Sequence, residues 1–296
     1  MTQISTEGGV PITRRTGLLA ALGALLSGCS AAGVLNTLVP DNTYRGREGI
    51  AYGADPRQQL DVYQPLASAA SGKPPLVVFF YGGNWKAGER GDYRFVGEAL
   101  AARGAVVVIP DYRLYPQVHY PDFLLDSAAG VKWAFENAAQ LGADPANVHV
   151  MGHSAGAYNA AMLALDPRWL GPQRERLAGF IGIAGPYDFL PIVNPDTRRA
   201  FSWPATPAES QPLRHVDPAA PRTLLLAATK DDLVNPQRNT VGLASRLQAA
   251  GVETRVRVFD GVSHVTILGA LARPLRGLAP VLPEVLAFLR LGDAAA

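Results

Sequence analysis

Ser154 lies at the centre of the pentapeptide GHSAG (152–156) and is the candidate nucleophile of this chain. The apolar run VHVM (148–151) before it predicts a buried strand, and the alanine-rich segment 155–164 after it predicts a helix. A serine in G-x-S-x-G between a strand and a helix lies on a nucleophile elbow, where glycines permit close backbone approach. The N-terminus of the following helix favours negative charge that develops beside the serine. The alternative is a glycine-rich turn with an incidental serine.

A histidine must act as the base, because a serine hydroxyl is a weak nucleophile until its proton is removed. In sites built on this elbow the chain order is serine, acid, histidine. Of the five histidines, only His215 and His264 follow the serine outside the elbow. His264 directly follows the predicted strand 254–259, whereas His215 lies in a proline-rich segment, so His264 is the predicted base. His153 is interpreted as a packing residue beside the elbow, and His149 as a residue of its strand.

The acid that orients the base is sought among the aspartates that follow predicted strands. Asp231 and Asp232 stand side by side after the predicted strand 223–227, and Asp260 follows the last predicted strand. On position alone, all three are open as the acid. Asp231 and Asp232 each have an alternative role as a solvated turn aspartate that caps the next helix.

The remaining requirement is a set of N–H donors for the tetrahedral intermediate. The apolar run LVVFFY (76–81) predicts a strand buried on both faces, and it leads into the sequence GGNW (82–85). A glycine loop in this place supplies main-chain N–H groups, together with that of the residue after the nucleophile. Gly83, Asn84 and Ala155 are therefore predicted to form the oxyanion hole. This chemistry needs neither a metal nor a cofactor.

Alternating strands and helices are predicted to position these groups. Strands are predicted at 49–65 (two, around a turn at 53–56), 76–81, 105–109, 148–151, 180–184, 223–227 and 254–259, and helices at 93–103, 122–140, 155–164, 239–249 and 283–291. This alternation predicts an α/β fold with a mostly parallel central sheet, flanking helices and a site at the carboxyl ends of the strands.

Residues 187–221 interrupt the alternation with seven prolines, and they include Phe201 and Trp203. A loop of this length in a folded domain is usually functional or disordered. Two interpretations are open: a small, lid-like insertion that supplies an aromatic wall to the site, or a surface excursion without substrate contact.

Composition indicates a folded domain without a nucleic-acid partner. The chain has 296 residues, of which 48% are hydrophobic and 18% charged, and its net charge is +2. This hydrophobic content supplies a sizeable core, and the length suits one α/β domain or two small domains. The near-neutral balance, without a basic stripe or an acidic tail, argues against nucleic-acid binding.

The N-terminus has the three parts of an export signal. Arg14-Arg15 precede the apolar run 18–26, which is too short to span a bilayer as a mature helix, and small residues follow it. The sequence LSGC (26–29) resembles a bacterial lipobox, in which the cysteine is lipidated and becomes the new N-terminus. Residues 13–19, TRRTGLL, resemble a twin-arginine signal. The alternatives are an ordinary secretion signal with two arginines and a plain signal peptide cut near Ala32.

Cys29 is the only cysteine, so no thiol remains for a disulfide or a nucleophile once it is lipidated or removed. We therefore expect a signal peptide at 1–29, a linker at 30–44 and a catalytic domain at 45–296. The mature protein is expected to be a periplasmic or cell-surface lipoprotein that is anchored to a membrane through Cys29.

Six motifs occur in one order along the chain: YGGNW (81–85), PDYRL (110–114), GHSAG (152–156), GPYDF (185–189), TKDDLV (229–234) and GVSH (261–264). Together they resemble the α/β-hydrolase superfamily over residues 49–291. More narrowly, they are similar to bacterial carboxylesterases related to hormone-sensitive lipase, to feruloyl-esterase-like proteins, to kynurenine formamidases and to prenylcysteine methylesterases. The resemblance implies an α/β-hydrolase fold. It also favours Asp231 as the acid, because Asp231 has the spacing to Val234 of the family's G-x-x-D-x-x-V-P loop.

Two positions depart from the family pattern. Tyr81 stands where histidine is usual, and Asn84 stands where many members have a third glycine. Both leave the main-chain donors in place but are expected to change the rigidity of the loop and the shape of the pocket. Asp111 and Arg113 in PDYRL are predicted to form a structural ion pair.

The resemblance implies a serine esterase that forms an acyl-enzyme through Ser154, His264 and Asp231. A small-to-medium carboxylic ester is the expected substrate, because only a modest insertion separates the elbow strand from Asp231. Two other functions are open: an arylformamidase-type amide hydrolase, and a non-catalytic surface lipoprotein that keeps the fold. Only the shape of the pocket separates the first from an esterase.

Overall fold

Eight strands form one sheet in the computed structural model, which describes residues 31–66 and 72–292. The strands are β1 (Tyr44–Ala51), β2 (Gln59–Pro65), β3 (Leu76–Phe80), β4 (Val106–Pro110), β5 (Val148–His153), β6 (Leu177–Ile183), β7 (Thr223–Ala228) and β8 (Thr254–Phe259). Their order across the sheet is β1-β2-β4-β3-β5-β6-β7-β8. β2 pairs antiparallel with β1 and with β4, and all other neighbours are parallel. The predicted α/β fold with a mostly parallel sheet is confirmed.

Helices of very different lengths connect these strands. They are α1 (Ala31–Thr37), α2 (Arg94–Ala101), α3 (Asp122–Asn137), α4 (Ala155–Leu165), α5 (Pro167–Leu170), α6 (Pro195–Ala200), α7 (Gly242–Ala249), α8 (Thr266–Gly269) and α9 (Val281–Phe288). Short 3₁₀ segments lie at Arg90–Tyr93, Gly171–Arg176, Ala208–Ser210, Pro212–His215 and Arg273–Leu275, and a π-helical turn lies at Gln237–Val241.

The centre of the sheet is buried on both faces. β3, β4, β5 and β7 are buried along their whole length, because unbroken apolar runs allow helices to cover each face. The buried apolar side chains form one core that extends from Tyr44 to Leu289. The described residues therefore contain the sheet, its covering helices and this core, so we expect residues 30–296 to fold without residues 1–29.

Parallel pairing places the carboxyl ends of β3, β5, β7 and β8 at one edge of the sheet. The segments that leave these four ends carry Gly82, Ser154, Asp231 and His264, respectively. Four positions far apart in the sequence thereby meet at one edge, as the α/β alternation predicts.

Several elements extend beyond their predicted bounds, and two of them show the reason. β6 begins at Leu177, three residues before the apolar run that predicts it, because its first residues pair with β5 through Val148–Leu177 and His149–Gly179. The helix predicted over 239–249 begins two residues earlier as the π-helical turn. In both places long-range pairing or packing decides the bound, and local sequence does not.

Helix α1 lies within the segment predicted to be a linker. Its Asn36 side chain donates to the carbonyl of Gly91 at 2.5 Å and accepts from the N–H of Phe95 at 3.2 Å. The segment is therefore fixed to the domain at the start of α2. The predicted signal peptide and Cys29 lie outside the described residues. Within 31–66 and 72–292, no helix combines the length and apolarity that crossing a membrane demands.

His149 is completely buried on β5, and its Nε2 bonds to Asn147 Oδ1 at 2.7 Å. Burial, aided by the positive charges of Arg222 and Arg290, lowers the pKa of His149 from 6.5 to about 3. The folded protein therefore keeps this ring neutral in mild acid, where the same histidine in the unfolded chain takes up a proton.

We expect the free energy of unfolding to fall as the pH drops below 6.5, since unfolded His149 then binds a proton that the folded ring refuses until about pH 3. His149→Leu removes this contribution. The slope of its unfolding free energy against pH should therefore be smaller than that of the parent by about 1.4 kcal/mol per pH unit. Urea unfolding between about pH 4 and 7 measures both slopes. His119→Leu, which removes an exposed histidine, is the matched control and should keep the parent slope. Equal slopes for the parent and His149→Leu contradict the prediction.

Candidate active site

Ser154 occupies a sharp turn between β5 and α4, with φ 54° and ψ −125°. A Cβ on Gly152 would lie 2.2 Å from the carbonyl oxygen of Gly156, and one on Gly156 would lie 2.1 Å from that of Phe80. Any side chain at either glycine would collide with backbone, so the two glycines are what allow the turn to form. The positive φ of a non-glycine residue is backbone strain of the kind found at functional sites.

A continuous chain of hydrogen bonds joins the serine, the histidine and one aspartate. His264 Nε2 lies 2.9 Å from Ser154 Oγ, and His264 Nδ1 lies 2.7 Å from Asp231 Oδ2. The second carboxylate oxygen, Asp231 Oδ1, accepts from the N–H groups of Leu233 (2.9 Å) and Val234 (2.8 Å). Both carboxylate oxygens of Asp231 thus accept hydrogen bonds, and both ring nitrogens of His264 have a partner.

The surroundings of Asp231 keep its carboxyl group ionised. Burial by itself raises the pKa of Asp231, but the bonds from His264 and from the N–H of Val234 outweigh burial, and the pKa is lowered overall. A carboxylate that stays ionised holds the proton of the imidazole on Nδ1 and leaves Nε2 free to accept the serine proton.

The other predicted candidates lie elsewhere. Asp232 and Asp260 are exposed, and neither is a hydrogen-bond partner of His264. His215 bonds to the carbonyl of Glu209 and lies 3.6 Å from Asp166, remote from the serine. Of the candidates that position alone left open, the structure brings only Asp231 to the histidine.

His153 does more than pack beside the elbow. Its Nε2 lies 2.8 Å from the carbonyl oxygen of His264, so Nε2 must carry the hydrogen and donate it. Burial, and secondarily the neighbouring His264, lower the pKa of His153 to about 3. A neutral ring of fixed tautomer therefore anchors the main chain of His264. The sequence pattern gave no signal for this bond, which spans 111 positions.

The loop after β3 runs very close to the nucleophile. A Cβ on Gly82 would lie 2.9 Å from the Cβ of Ser154. Gly83 (φ 127°) and Asn84 (φ 52°) both have positive φ, which glycine and asparagine tolerate best. The N–H groups of Gly83 and Asn84 donate in no main-chain bond within the described residues, and Ala155 is the first residue of its helix. All three predicted donors line the same cavity as Ser154, where an oxyanion hole has to lie.

Trp85 holds this loop in place. It also has a positive φ, 57°, which is rare for a large side chain, but its indole is buried and donates to Asn159 Oδ1 at 2.9 Å. Asn159 in turn donates to Ser127 Oγ at 3.2 Å, and Phe201 packs edge-on against Trp85 at 4.7 Å. Sequence reasoning missed this role; the one available signal is a tryptophan directly after the glycine loop.

Tyr81, which replaces the family's histidine, is tied into a buried polar cluster. Its hydroxyl donates to Asp111 Oδ1 at 2.6 Å and accepts from Arg57 Nη2 at 3.0 Å. Burial, together with Tyr112 and Asp111, raises the pKa of Tyr81, so the hydroxyl keeps its proton and stays a donor. Tyr112 donates to the carbonyl oxygen of Tyr81 at 2.8 Å. The strand end that precedes residues 82–85, which we call the oxyanion loop after the donors predicted in it, is thereby fixed.

The predicted ion pair between Asp111 and Arg113 is wrong. Asp111 pairs with Arg90 at 2.5 Å, whereas Arg113 pairs with Asp126 of α3 at 2.8 Å. Each charge reaches a partner on another element, and the aspartates are nearly completely buried, so the pairs join separate parts of the chain.

The serine lies at a cavity of about 730 Å³ with a largely apolar wall. Its walls come from the oxyanion loop, the elbow, α1 with the residue after it, α2, the segment after β6, residues 229–234 around Asp231 (the acid loop) and the region after His264. The apolar side chains among the lining residues include Leu35, Leu38, Tyr93, Phe95, Phe189, Ile192, Val193, Leu233, Val265, Leu268 and Leu275. A volume in this range suits a small organic molecule.

Residues 187–221 contribute to the cavity at their N-terminal end only. Phe189 and residues 192–194 line it, together with Thr197. Phe201 is buried against Trp85, so it supports the wall from behind and does not form it. Substrate contact is therefore concentrated in the first third of this segment, and Trp203 is not among the lining residues.

Comparison with known proteins shows which protein family this chain resembles in sequence. The sequence model of the BD-FAE family matches residues 60–247, well over half of the chain. The chain is 28% identical over 276 residues to the probable isoprenylcysteine alpha-carbonyl methylesterase ICMEL1 of Arabidopsis thaliana, covering 83% of this chain and 56% of that protein. It is 28% identical over 228 residues to esterase LipC of Mycobacterium tuberculosis, covering 70% and 56%. The chain thus spans a little over half the length of these curated relatives.

Solved structures share the fold. Esterase B from Lactobacillus rhamnosis superposes with a TM-score of 0.72 at 20% identity, covering 93% of this chain and 96% of that one. Esterase 2 of Thermogutta terrifontis superposes with a TM-score of 0.69 at 22% identity, covering 87% and 98%. The predicted α/β-hydrolase fold is confirmed.

Proposed function

The chain belongs to the BD-FAE family, and we propose that it is a carboxylesterase that cleaves small to medium esters through an acyl-enzyme on Ser154. One observation carries the proposal: the chain of hydrogen bonds from Asp231 through His264 to Ser154 ends at the wall of an apolar cavity. A nucleophile, its base and an orienting acid in contact are the arrangement that acyl transfer requires.

The geometry assigns each step to a group. His264 Nε2 takes the proton of Ser154 Oγ while the oxygen attacks the ester carbonyl carbon, and Asp231 stabilises the resulting imidazolium. The N–H groups of Gly83, Asn84 and Ala155 bind the oxyanion of the tetrahedral intermediate. His264 then gives its proton to the leaving alcohol, and an acyl group remains on Ser154. Water repeats the sequence, with His264 as its base, and releases the carboxylic acid.

The cavity supports an ester of modest size. At about 730 Å³ it accommodates an acyl chain and a small alcohol together, and its mostly apolar wall favours a hydrocarbon chain over a charged one. Esterase 2 of Thermogutta terrifontis has been solved with propionate and with butyrate bound, which supports short acyl groups for this chain also.

The experiment that tests the proposal is hydrolysis of p-nitrophenyl esters, from acetate to decanoate, by residues 30–296. We expect turnover that depends on Ser154, with an optimum at short to medium chains because the cavity is closed on several sides. N-formylkynurenine is assayed in parallel, because the same elbow attacks a formamide carbonyl. Faster turnover of the formamide assigns the protein as an amide hydrolase, and no turnover of either by folded protein overturns a catalytic role.

We also propose that the protein is an exported lipoprotein anchored through Cys29. The support is the LSGC sequence after a short apolar run. When the full chain is expressed in a bacterium that processes lipoproteins, it should sediment with the membranes, and Cys29→Ser should lose the acyl groups that mass spectrometry detects at the N-terminus. An unmodified Cys29 in the parent contradicts the proposal.

A further inference from the structure

Exposed apolar side chains surround the mouth of the cavity. Large apolar side chains that are well exposed occur at eight positions of the described residues, and four of these line this one cavity. The four, which we call the collar, are Leu38 (57% exposed), Val193 (80%), Leu233 (70%) and Val265 (55%). Single exposed apolar residues are ordinary, but a grouped set marks a surface that binds something apolar.

The collar comes from four separate elements. Leu38 follows α1, and Val193 lies in the segment after β6. Leu233 belongs to the acid loop, where its N–H bonds to Asp231, and Val265 directly follows His264. An apolar surface pressed against the collar would therefore face the opening that leads to Ser154.

The position of the N-terminus selects a membrane as the occupant. Cys29 precedes α1 by two positions, and Leu38 directly follows this seven-residue helix. Two extended residues span at most ~7 Å and a helix of this length ~10 Å, so the collar begins within about 20 Å of Cys29 along the chain. A lipid on Cys29 would hold the mouth of the cavity at the bilayer surface.

Charges of both signs lie beside the mouth. Lys86 bonds to Asp196 of α6 at 2.6 Å, and Arg273 and Arg276 share the buried Glu98 at 2.8 and 3.5 Å. Asp232, beside Leu233 of the collar, is exposed, so the mouth carries no single sign of charge. Contact with a bilayer is therefore expected to depend on the collar's apolar area and not on anionic lipids.

We propose that the collar docks on the surface of a phospholipid bilayer and presents the cavity to acyl esters dissolved in that surface. The inference about substrate rests on the proposed esterase function, and the choice of a bilayer as the occupant rests on the collar together with the proposed lipid anchor on Cys29.

Flotation with phosphatidylcholine vesicles tests the docking. Residues 30–296 carrying Ser154→Ala are used. This protein has no lipid anchor of its own and does not hydrolyse esters, so flotation reports only binding to the vesicles. The collar variant combines Leu38→Ser, Val193→Ser, Leu233→Ser and Val265→Ser. The matched control combines Leu66→Ser, Leu125→Ser, Val258→Ser and Leu278→Ser, which are the other four exposed apolar positions. We expect the parent and the control to float alike. The collar variant should bind the vesicles about tenfold more weakly than the parent.

A second measurement uses the active proteins. The rate on p-nitrophenyl decanoate held in vesicles is divided by the rate on p-nitrophenyl butyrate in water. This ratio should fall several-fold for the collar variant and match the parent for the control. A parent that does not float, or a collar variant that floats equally well, overturns the docking. If the parent is a dimer that does not bind vesicles, and the collar variant is a monomer, the collar is covered by a second copy of the chain. This result also overturns the docking on a bilayer. Loss of all ester turnover with intact flotation refutes only the esterase function.

Discussion

Ser154→Ala is expected to reduce hydrolysis of p-nitrophenyl butyrate by a factor on the order of 10⁶, the loss seen when a triad serine is removed. The variant keeps the oxyanion donors and the cavity, but it has no oxygen 2.9 Å from His264 Nε2 to attack the carbonyl. Acyl-enzyme formation is then impossible, and only a small residual rate from binding and electrostatic stabilisation remains. Steady-state kinetics at saturating ester measure the fall in kcat.

The fold should survive this substitution. The serine hydroxyl bonds to His264, but the elbow itself is held by backbone, including the N–H of Ser154, which donates to Ile183 at 3.0 Å. A thermal melt is therefore expected to stay close to that of the parent. Ser245→Ala, on an exposed face of α7, is the matched control and should keep full activity. If Ser154→Ala hydrolyses the ester at the parent rate, the nucleophile is another residue and the proposed function is lost.

The elbow and its strand were predictable because their signals are local. GHSAG, the apolar run before it and the alanines after it together specify strand, turn and helix within residues 148–164. The histidine was predictable for a different reason: chain order and the position after a strand limit the choice. The elbow and the position of the histidine after a strand can each be recognised from residues that are neighbours in the sequence.

The supports of the site were not predictable in this way. Trp85 meets Asn159 across 74 positions, and His153 meets His264 across 111. Such contacts depend on how helices and loops pack, and a single sequence does not encode packing in any local pattern. The ion pair predicted for Asp111 and Arg113 is wrong for the same reason, since each charge has its partner on another element.

The N-terminal wall of the cavity shows the same limit. Residues 30–44 lack a periodic pattern and were predicted to be a linker, yet α1 and Leu38 form part of the cavity wall. A seven-residue helix is too short to be stable alone, so its stability comes from contacts such as those of Asn36 with the start of α2. Tertiary contacts thus convert an unremarkable segment into part of the site.

Asp231→Asn is expected to lower kcat on the same ester by about 10⁴, as in other triads. The reason lies in the two N–H groups of Leu233 and Val234, which both donate to Oδ1. An asparagine must keep its carbonyl oxygen there, so its NH₂ group faces His264 Nδ1. The imidazole is then forced to carry its proton on Nε2, where it cannot accept the serine proton, and the negative charge that stabilises the imidazolium is also gone.

Asp232→Asn removes the same charge one position along the chain and is the matched control. Asp232 is exposed and is not a partner of His264, so its variant should retain kcat within about twofold, the small effect of a screened surface charge. A thermal melt of both variants separates catalytic loss from unfolding. Equal losses in the two variants would mean that the loop as a whole, and not the carboxylate of Asp231, supports His264. A large loss confined to Asp232→Asn would assign the acid to Asp232, against the 2.7 Å contact that Asp231 makes with the ring.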